Sequence, residues 1–340
     1  LYLAVSGVEW WAVLTVLSIL ISSIFTVFIL CKHFSGATQV FVACTLSLLL
    51  WFIALHRMNF TRTAVVISTA ACLLIADSIF DCKTSARMCV QYAVGSVWLL
   101  LGASIRATSA MIALAFLAVI GGVRLLADNF SLRREWFISH LRQALMLLIA
   151  ALLFFSASLL DKQLLTPEQE SFLQYNSLRS SIQDYGQNYP TFSAARDTYE
   201  SFGLNENAKD LLFNWYTEDS DIFSENVLKN VQSLSHHSIS LRTAINAVYE
   251  TWFESLLALG LVLFLLLTHP KQWWRFLITI GTAGFLCIYL VIEGRFPGRV
   301  YASIMWACLC ASFFLANGVC EKVELQKPEF SQMFWQFKAL

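Results

Sequence analysis

The sequence predicts an all-α fold: a polytopic bundle of membrane helices with one small helical domain outside the membrane. Three observations predict it. Hydrophobic residues make up 57% of the chain and charged residues only 14%, where a soluble protein carries about a quarter; the mean hydropathy is +0.62. Apolar runs long enough to span a bilayer recur along the chain. A single long polar segment, 161–247, interrupts them. Net charge is zero, so no nucleic-acid partner is expected.

A spanning helix needs about 20 mostly apolar residues. The clear runs are 8–31, 37–55, 142–160, 248–268, 276–293 and 300–317. Shorter or interrupted runs lie at 63–77, 88–105 and 107–127. Together they predict about nine spans. The last two are separated only by Arg106, which calls for a tight reversal or a broken helix there.

Basic residues in short loops set the orientation. With the start of the first span outside, twelve lie in inner loops: Lys32, Lys83, Arg87, Arg124, Arg133, Arg134, Arg142, Lys271, Arg275, Lys322, Lys327 and Lys338. Five lie outside, and all are arginines: Arg57, Arg62, Arg106, Arg295 and Arg299. The stretch 124–142 reads as an amphipathic inner helix, centred on 128–141, that feeds the next span. The expected organisation is therefore a bundle at 1–160, an outer domain at 161–247, further spans at 248–317 and an inner tail at 318–340.

The outer segment holds 12 acidic and 6 basic residues and divides into short helices. Thr166-Pro167-Glu168-Gln169 is a capping box with Pro at the first helical position; its helix stops near Gly186. Pro190 and Thr191 open a second helix, ended by Gly203. Asn205 caps a third, running to Tyr216, and Ser224 caps a fourth. From Ser238 a fifth is expected to run straight into the span at 248–268. The segment is rich in aromatics, including Tyr185, Trp215 and Tyr216, which suit either a sugar-stacking surface or the core of a small domain.

Glycine-rich phosphate loops, HExxH and GxSxG are missing from the sequence, so any chemistry must come from scattered residues at the membrane edge. Arginine grips phosphate or carboxylate with a planar, bidentate fork. Arg106 interrupts a long apolar stretch, and an ionisable residue there is costly; snorkelling to the interface is the competing explanation. Arg295 and Arg299 flank a tight Pro297-Gly298 turn that lets a ligand approach the backbone; binding lipid headgroups or pairing with Glu293 is the alternative. Arg57 and Arg62 either complete this rim or anchor helix ends.

Candidate carboxylates are few. Glu9 is a weak candidate catalytic base at the outer start of the first span. Glu250 and Glu254, one turn apart, are candidates for a base or metal ligand, or are solvated helix-end charges. Asp77 and Asp81 are expected to balance Lys83 and Arg87. His236-His237 reads as an ordinary polar boundary. The nine cysteines, Cys308-x-Cys310 included, read as small core residues. No metal site and no firm cofactor is expected from the residues, though a divalent metal is compatible with them.

The segment from Ser177 to Val231, together with VEWW near the start, NFTRTA at 59–64, GASIRATSAMIALAF at 102–116 and GRFPGRVY at 294–301, resembles a family of uncharacterised multi-pass proteins common in Gram-positive gut bacteria. The likeness covers most of the chain in outline. The layout of that family in turn resembles C-type glycosyltransferases, which transfer sugars from polyprenyl-phosphate donors. In those enzymes an acidic residue of the first outer loop acts as base or binds metal. The chain opens on Leu1, and the resemblance implies a preceding span and loop with paired aspartates. It also implies a bacterial plasma-membrane location, with membrane lipid, a polyprenyl-phosphate sugar and a glycan acceptor as partners. Arg106, Arg295 and Arg299 would hold the donor phosphate, and the outer domain would receive the acceptor. An O-antigen polymerase or ligase type of enzyme shares the long outer segment and outward arginines. A transporter or assembly scaffold is the non-enzymatic alternative; a transporter would carry inverted repeats and mid-membrane polar residues.

Overall fold

The computed structural model describes residues 10–32, 34–56, 59–80, 85–127, 134–184, 189–214, 222–235, 241–269, 272–293 and 297–317. Among the described residues it is all-helical, with no strand. Among the described residues six helices are long and apolar enough to cross a membrane: Ala12–Cys31, Gly36–Leu55, Phe60–Phe80, Ala86–Arg124, Trp273–Ile292 and Gly298–Ala316. Gln143–Ser156 and Trp252–Thr268 are shorter apolar helices.

Helix α1 (Trp10–Cys31) leads to α2 (Gly36–Leu50), which widens into a π-helical turn at Trp51–His56. The sequence carries no clear signal for this turn. A π-helical turn shifts the carbonyl register and frees oxygens for other donors.

Helix α3 (Phe60–Phe80) is the centre of the bundle, buried at every position from Thr61 to Ile79. Asn59 caps it: its side-chain oxygen accepts the Arg62 N–H at 3.0 Å, supplying a partner to one of the amide groups left over at a helix start. The apolar run 63–77 is short because Thr61, Arg62, Asp77 and Ser78 limit it. All four are buried, so the helix extends through them.

Helix α4 (Ser85–Ala127) leaves helical geometry at Arg106, where φ is −160° and ψ is 100°. Its two legs run along α3 in opposite directions. On the first leg, a Cβ on Gly95 would meet Ile75 and Ala71, and one on Gly102 would meet Ser68 and Ala64; Arg106 then reaches Thr61. On the second leg, Ala113, Phe116 and Ile120 share a small void with Thr69 and Cys72, and Arg124 lies over Phe80. The chain therefore reverses at Arg106.

Helix α5 (Arg134–Gln163) is continuous from the described part of the expected inner helix through the run at 142–160. It packs on α4, with the Tyr92 hydroxyl donating to the Met146 carbonyl at 2.7 Å.

The polar segment folds around its own core. Helices α6 (Pro167–Asp184), α7 (Arg196–Ser201), α8 (Glu206–Phe213) and α9 (Glu225–Ser233) enclose Ile182, Tyr199, Leu212, Phe223 and Leu228. The capping box closes as expected: Gln169 N–H donates to Thr166 Oγ1 at 3.3 Å and Thr166 N–H to Gln169 Oε1 at 3.0 Å. Gly203 takes φ +81° after α7, and Asn205 Oδ1 accepts the Ala208 N–H at 2.8 Å. The expected third helix ends at Phe213, short of Tyr216. Tyr189, Phe192, Tyr199 and Phe223 are core side chains. Burial pushes the Tyr199 phenol up to about 12, and its hydroxyl donates to the Pro190 carbonyl at 3.0 Å.

Helix α10 (Leu241–Glu250) does not run straight into the next span, which corrects that expectation. The backbone breaks at Thr251, with φ −122° and ψ 28°, before α11 (Trp252–Thr268). Thr251 Oγ1 donates back to the Ala247 carbonyl at 2.9 Å, the local bond by which Thr bends helices. Helices α12 (Trp273–Ile292) and α13 (Gly298–Asn317) complete the bundle.

One end of the bundle is closed by internal pairing. Lys32 Nζ bonds Asp77 Oδ1, and Gln91 donates to the other oxygen at 3.1 Å. Asp77 is thus matched by Lys32, just past α1, rather than by Arg87 as expected; Lys83 and Asp81 lie outside the described residues. Arg124 sits over Phe314 at 5.3 Å, and Arg275 donates to the Leu315 carbonyl at 3.1 Å. Cys31, Cys72, Cys308 and Cys310 are buried, whereas Cys44 and Cys89 are exposed on helix surfaces, against the core reading for those two.

Candidate functional site

The opposite end of the bundle gathers the polar groups. Here α3, α11 and α13 start and α4 reverses. The chain also enters the small domain from this end, because α5 passes Met146 beside Tyr92 and continues to Gln163.

Arg106 is half-buried. Its Nη1 donates to Thr61 Oγ1 at 2.8 Å and its Nε to Thr108 Oγ1 at 3.4 Å. The reversal of α4 is what brings it there: a straight helix would carry residue 106 past the end of α3 without turning back. Thr61 is adjacent to Arg62, so the two arginines arrive on neighbouring positions of one helix end.

Arg62 is only 2% exposed. Its Nη1 lies 3.4 Å from both the Phe52 and Ile53 carbonyls, the oxygens presented by the π-helical turn. The same atom stands 3.7 Å from Glu254 Oε1. Of the two alternatives for Arg62, completing the rim or anchoring a helix end, the geometry fits the second: its side chain turns into the bundle and ties three elements together. Phe52 also packs on Phe253, with ring centroids 4.5 Å apart, which fixes the start of α11 against the π-helical turn.

Glu250 and Glu254, indistinguishable by spacing, part company in the structure. Glu250 is exposed and Glu254 is buried. The break at Thr251 separates the helices that carry them. A Cβ on Gly298 would lie 2.6 Å from Glu250 Oε2 and 3.3 Å from the Ala247 carbonyl, so glycine is what lets α13 start against the end of α10. Next to Glu254, the Ser255 hydroxyl reaches Tyr301 Oη at 3.5 Å. Arg299 is half-buried in the first turn of α13, where its carbonyl accepts the Ser303 hydroxyl at 2.8 Å.

The structure thus brings Arg62, Arg106, Arg299, Glu250 and Glu254 to one end of the bundle. Arg57, Arg295, Glu9, Tyr185, Trp215, Tyr216 and His236-His237 lie outside the described residues. Among the described residues no group of three or more His, Cys, Asp and Glu is placed to hold a metal ion. Sequence reasoning missed Thr61 and the π-helical turn. The signal for Thr61 is the coincidence of a capped helix start with an isolated arginine elsewhere, and it becomes readable only once the two are adjacent.

Below this end, the second leg of α4 and α5 leave an apolar groove of about 280 Å³, lined by Met111, Leu114, Ala118, Leu147, Ala151 and Phe155. Met111 is five positions beyond Arg106, about 7.5 Å along a helix axis. A cationic edge above an apolar groove suits an amphiphile with an anionic head. Comparisons with protein-family models, curated proteins and solved structures find no match to this chain.

Proposed function

We propose that this chain is the membrane part of a glycosyltransferase that takes its sugar from a polyprenyl-phosphate donor and passes it to a cell-envelope glycan. In this reading the chain crosses the membrane about nine times, counting the two legs of α4 separately, and the arginine end and the helical domain face outside. The observation that carries the reading is the position of Arg106, at the reversal of α4 and little more than a turn from an apolar groove. The groove takes isoprenoid chain, and the guanidinium meets the phosphate. Arg299 adds a second positive charge at the same end.

The chemistry asked of these arginines is electrostatic. As the bond from the sugar to the phosphate breaks, negative charge grows on the leaving lipid phosphate. Fixed cations in a poorly solvated site stabilise that charge without reorganising. The helical domain, hung from the same end, is placed to receive the acceptor.

The test is binding of a polyprenyl phosphate to the purified protein in nanodiscs, followed by native mass spectrometry. Wild type should retain the lipid, and Arg106→Ala should bind it about tenfold or more weakly, the loss of one charge-assisted contact. Equal binding by the two proteins rejects the reading.

A further inference from the structure

Among the described residues, Glu254 is a buried carboxylate with an ion-pair contact and no hydrogen bond. It is 4% exposed, and such groups are normally supplied with hydrogen bonds. Among the described residues its partner is Arg62, at 3.7 Å, which is beyond hydrogen-bond length. That guanidinium nitrogen also faces the Phe52 and Ile53 carbonyls at 3.4 Å. Arg62 therefore supplies a positive charge beside the carboxylate without closing a fork on it. No hydrogen bond from Arg62 occupies the carboxylate oxygens at that distance, so they keep lone pairs for a donor. The group sits at the start of α11, beside the Ser255–Tyr301 contact and at the end of the bundle where Arg106 and Arg299 stand.

We propose that Glu254 is the proton acceptor for the attacking acceptor hydroxyl. This inference rests on the glycosyltransferase reading. The hydroxyl donates a hydrogen bond to a Glu254 oxygen. As its oxygen forms the new bond to the anomeric carbon, the bond from that carbon to the phosphate oxygen breaks. The electron pair leaves with the polyprenyl phosphate, held by Arg106 and Arg299, and the hydroxyl proton ends on Glu254. No oxidant, reductant or metal is required for the balance. Arg62 is a positioning residue: anchored on the π-helical turn, it holds the carboxylate in place.

The experiment separates binding from transfer in the full chain. Polyprenyl-phosphate binding is measured in nanodiscs, and sugar release is measured from radiolabelled polyprenyl-phosphate hexoses with added glycan. Glu254→Gln keeps the shape and removes the base; Glu254→Asp keeps the base and shortens its reach. The expected result is wild-type lipid binding by both, transfer reduced about 100-fold or more in Glu254→Gln, and a smaller loss in Glu254→Asp. Wild-type transfer by Glu254→Gln overturns the proposal. So does loss of lipid binding or of folded protein in both variants, which would mark Glu254 as a structural partner of Arg62. Wild type that binds the lipid but releases no sugar, in any combination of hexose and glycan, rejects the proton-acceptor role while leaving the lipid site standing. Wild type that binds no polyprenyl phosphate rejects the underlying reading, and this inference with it.

Discussion

A charge withdrawn from water into a helix bundle is costly unless another group answers it, and the two ends of α3 answer it in different ways. At one end Asp77, 2% exposed, receives both Lys32 and Gln91 and is fully engaged. At the other, Arg62 is held by backbone carbonyls, and among the described residues Glu254 has a charge contact without a hydrogen bond. The first arrangement is structural. Lys32→Met strands Asp77 and should cost about 2 kcal/mol, less than a fully buried pair because Lys32 is partly exposed. Thermal unfolding in detergent should show the loss, and adding Asp77→Leu should recover most of it. A single variant as stable as wild type would show that the pair holds nothing. Of these residues, Arg106 was legible in the sequence because an arginine in an apolar stretch stands out. The burial of Glu254 was not: its spacing from Glu250 is one helical turn, and only the break at Thr251 separates their environments.

At the scale of elements, the reversal of α4 and the length of α3 decide what meets at the site. The two apolar runs on either side of Arg106 already called for a reversal or a break. Apolar counting understated α3, because the polar residues at its ends are answered by other helices rather than by water. The break at Thr251 escaped for a related reason: Thr is compatible with a helix, and its back-bond to Ala247 appears only in three dimensions. Close packing of α3 against the first leg of α4 depends on glycine. A Cβ at Gly102 would lie 3.2 Å from the Ala64 carbonyl and from the Ser68 amide, atoms of a helix backbone that cannot step aside. Gly102→Val should therefore destabilise the protein by about 1–3 kcal/mol, the usual range for overpacking. Gly281→Ala and Gly284→Ala, where nothing lies within 4 Å of the added carbon, should leave the unfolding temperature unchanged. Equal tolerance at all three positions would contradict the close approach of the two helices.

At the scale of the molecule, the described residues form two separate cores, one among the membrane helices and one in the helical domain. The sequence separates them by composition, and the capping signals place the domain helices well because those bonds are local. Counting basic residues in the loops also puts Arg62, Arg106 and Arg299 on one face, but does not show which of them turns into the bundle, since that depends on packing between helices. The central proposal is that a polyprenyl phosphate binds at the arginine end, with its chain in the groove between α4 and α5. The most direct measurement is photo-crosslinking with a diazirine-bearing polyprenyl phosphate in nanodiscs, mapped by mass spectrometry. Adducts are expected in peptides containing 59–62, 104–118 and 147–155, and they should be suppressed by excess unlabelled lipid phosphate. Adducts concentrated at the other end, around Arg124 and Arg275, or spread evenly over the helix surfaces and indifferent to competitor, would contradict it.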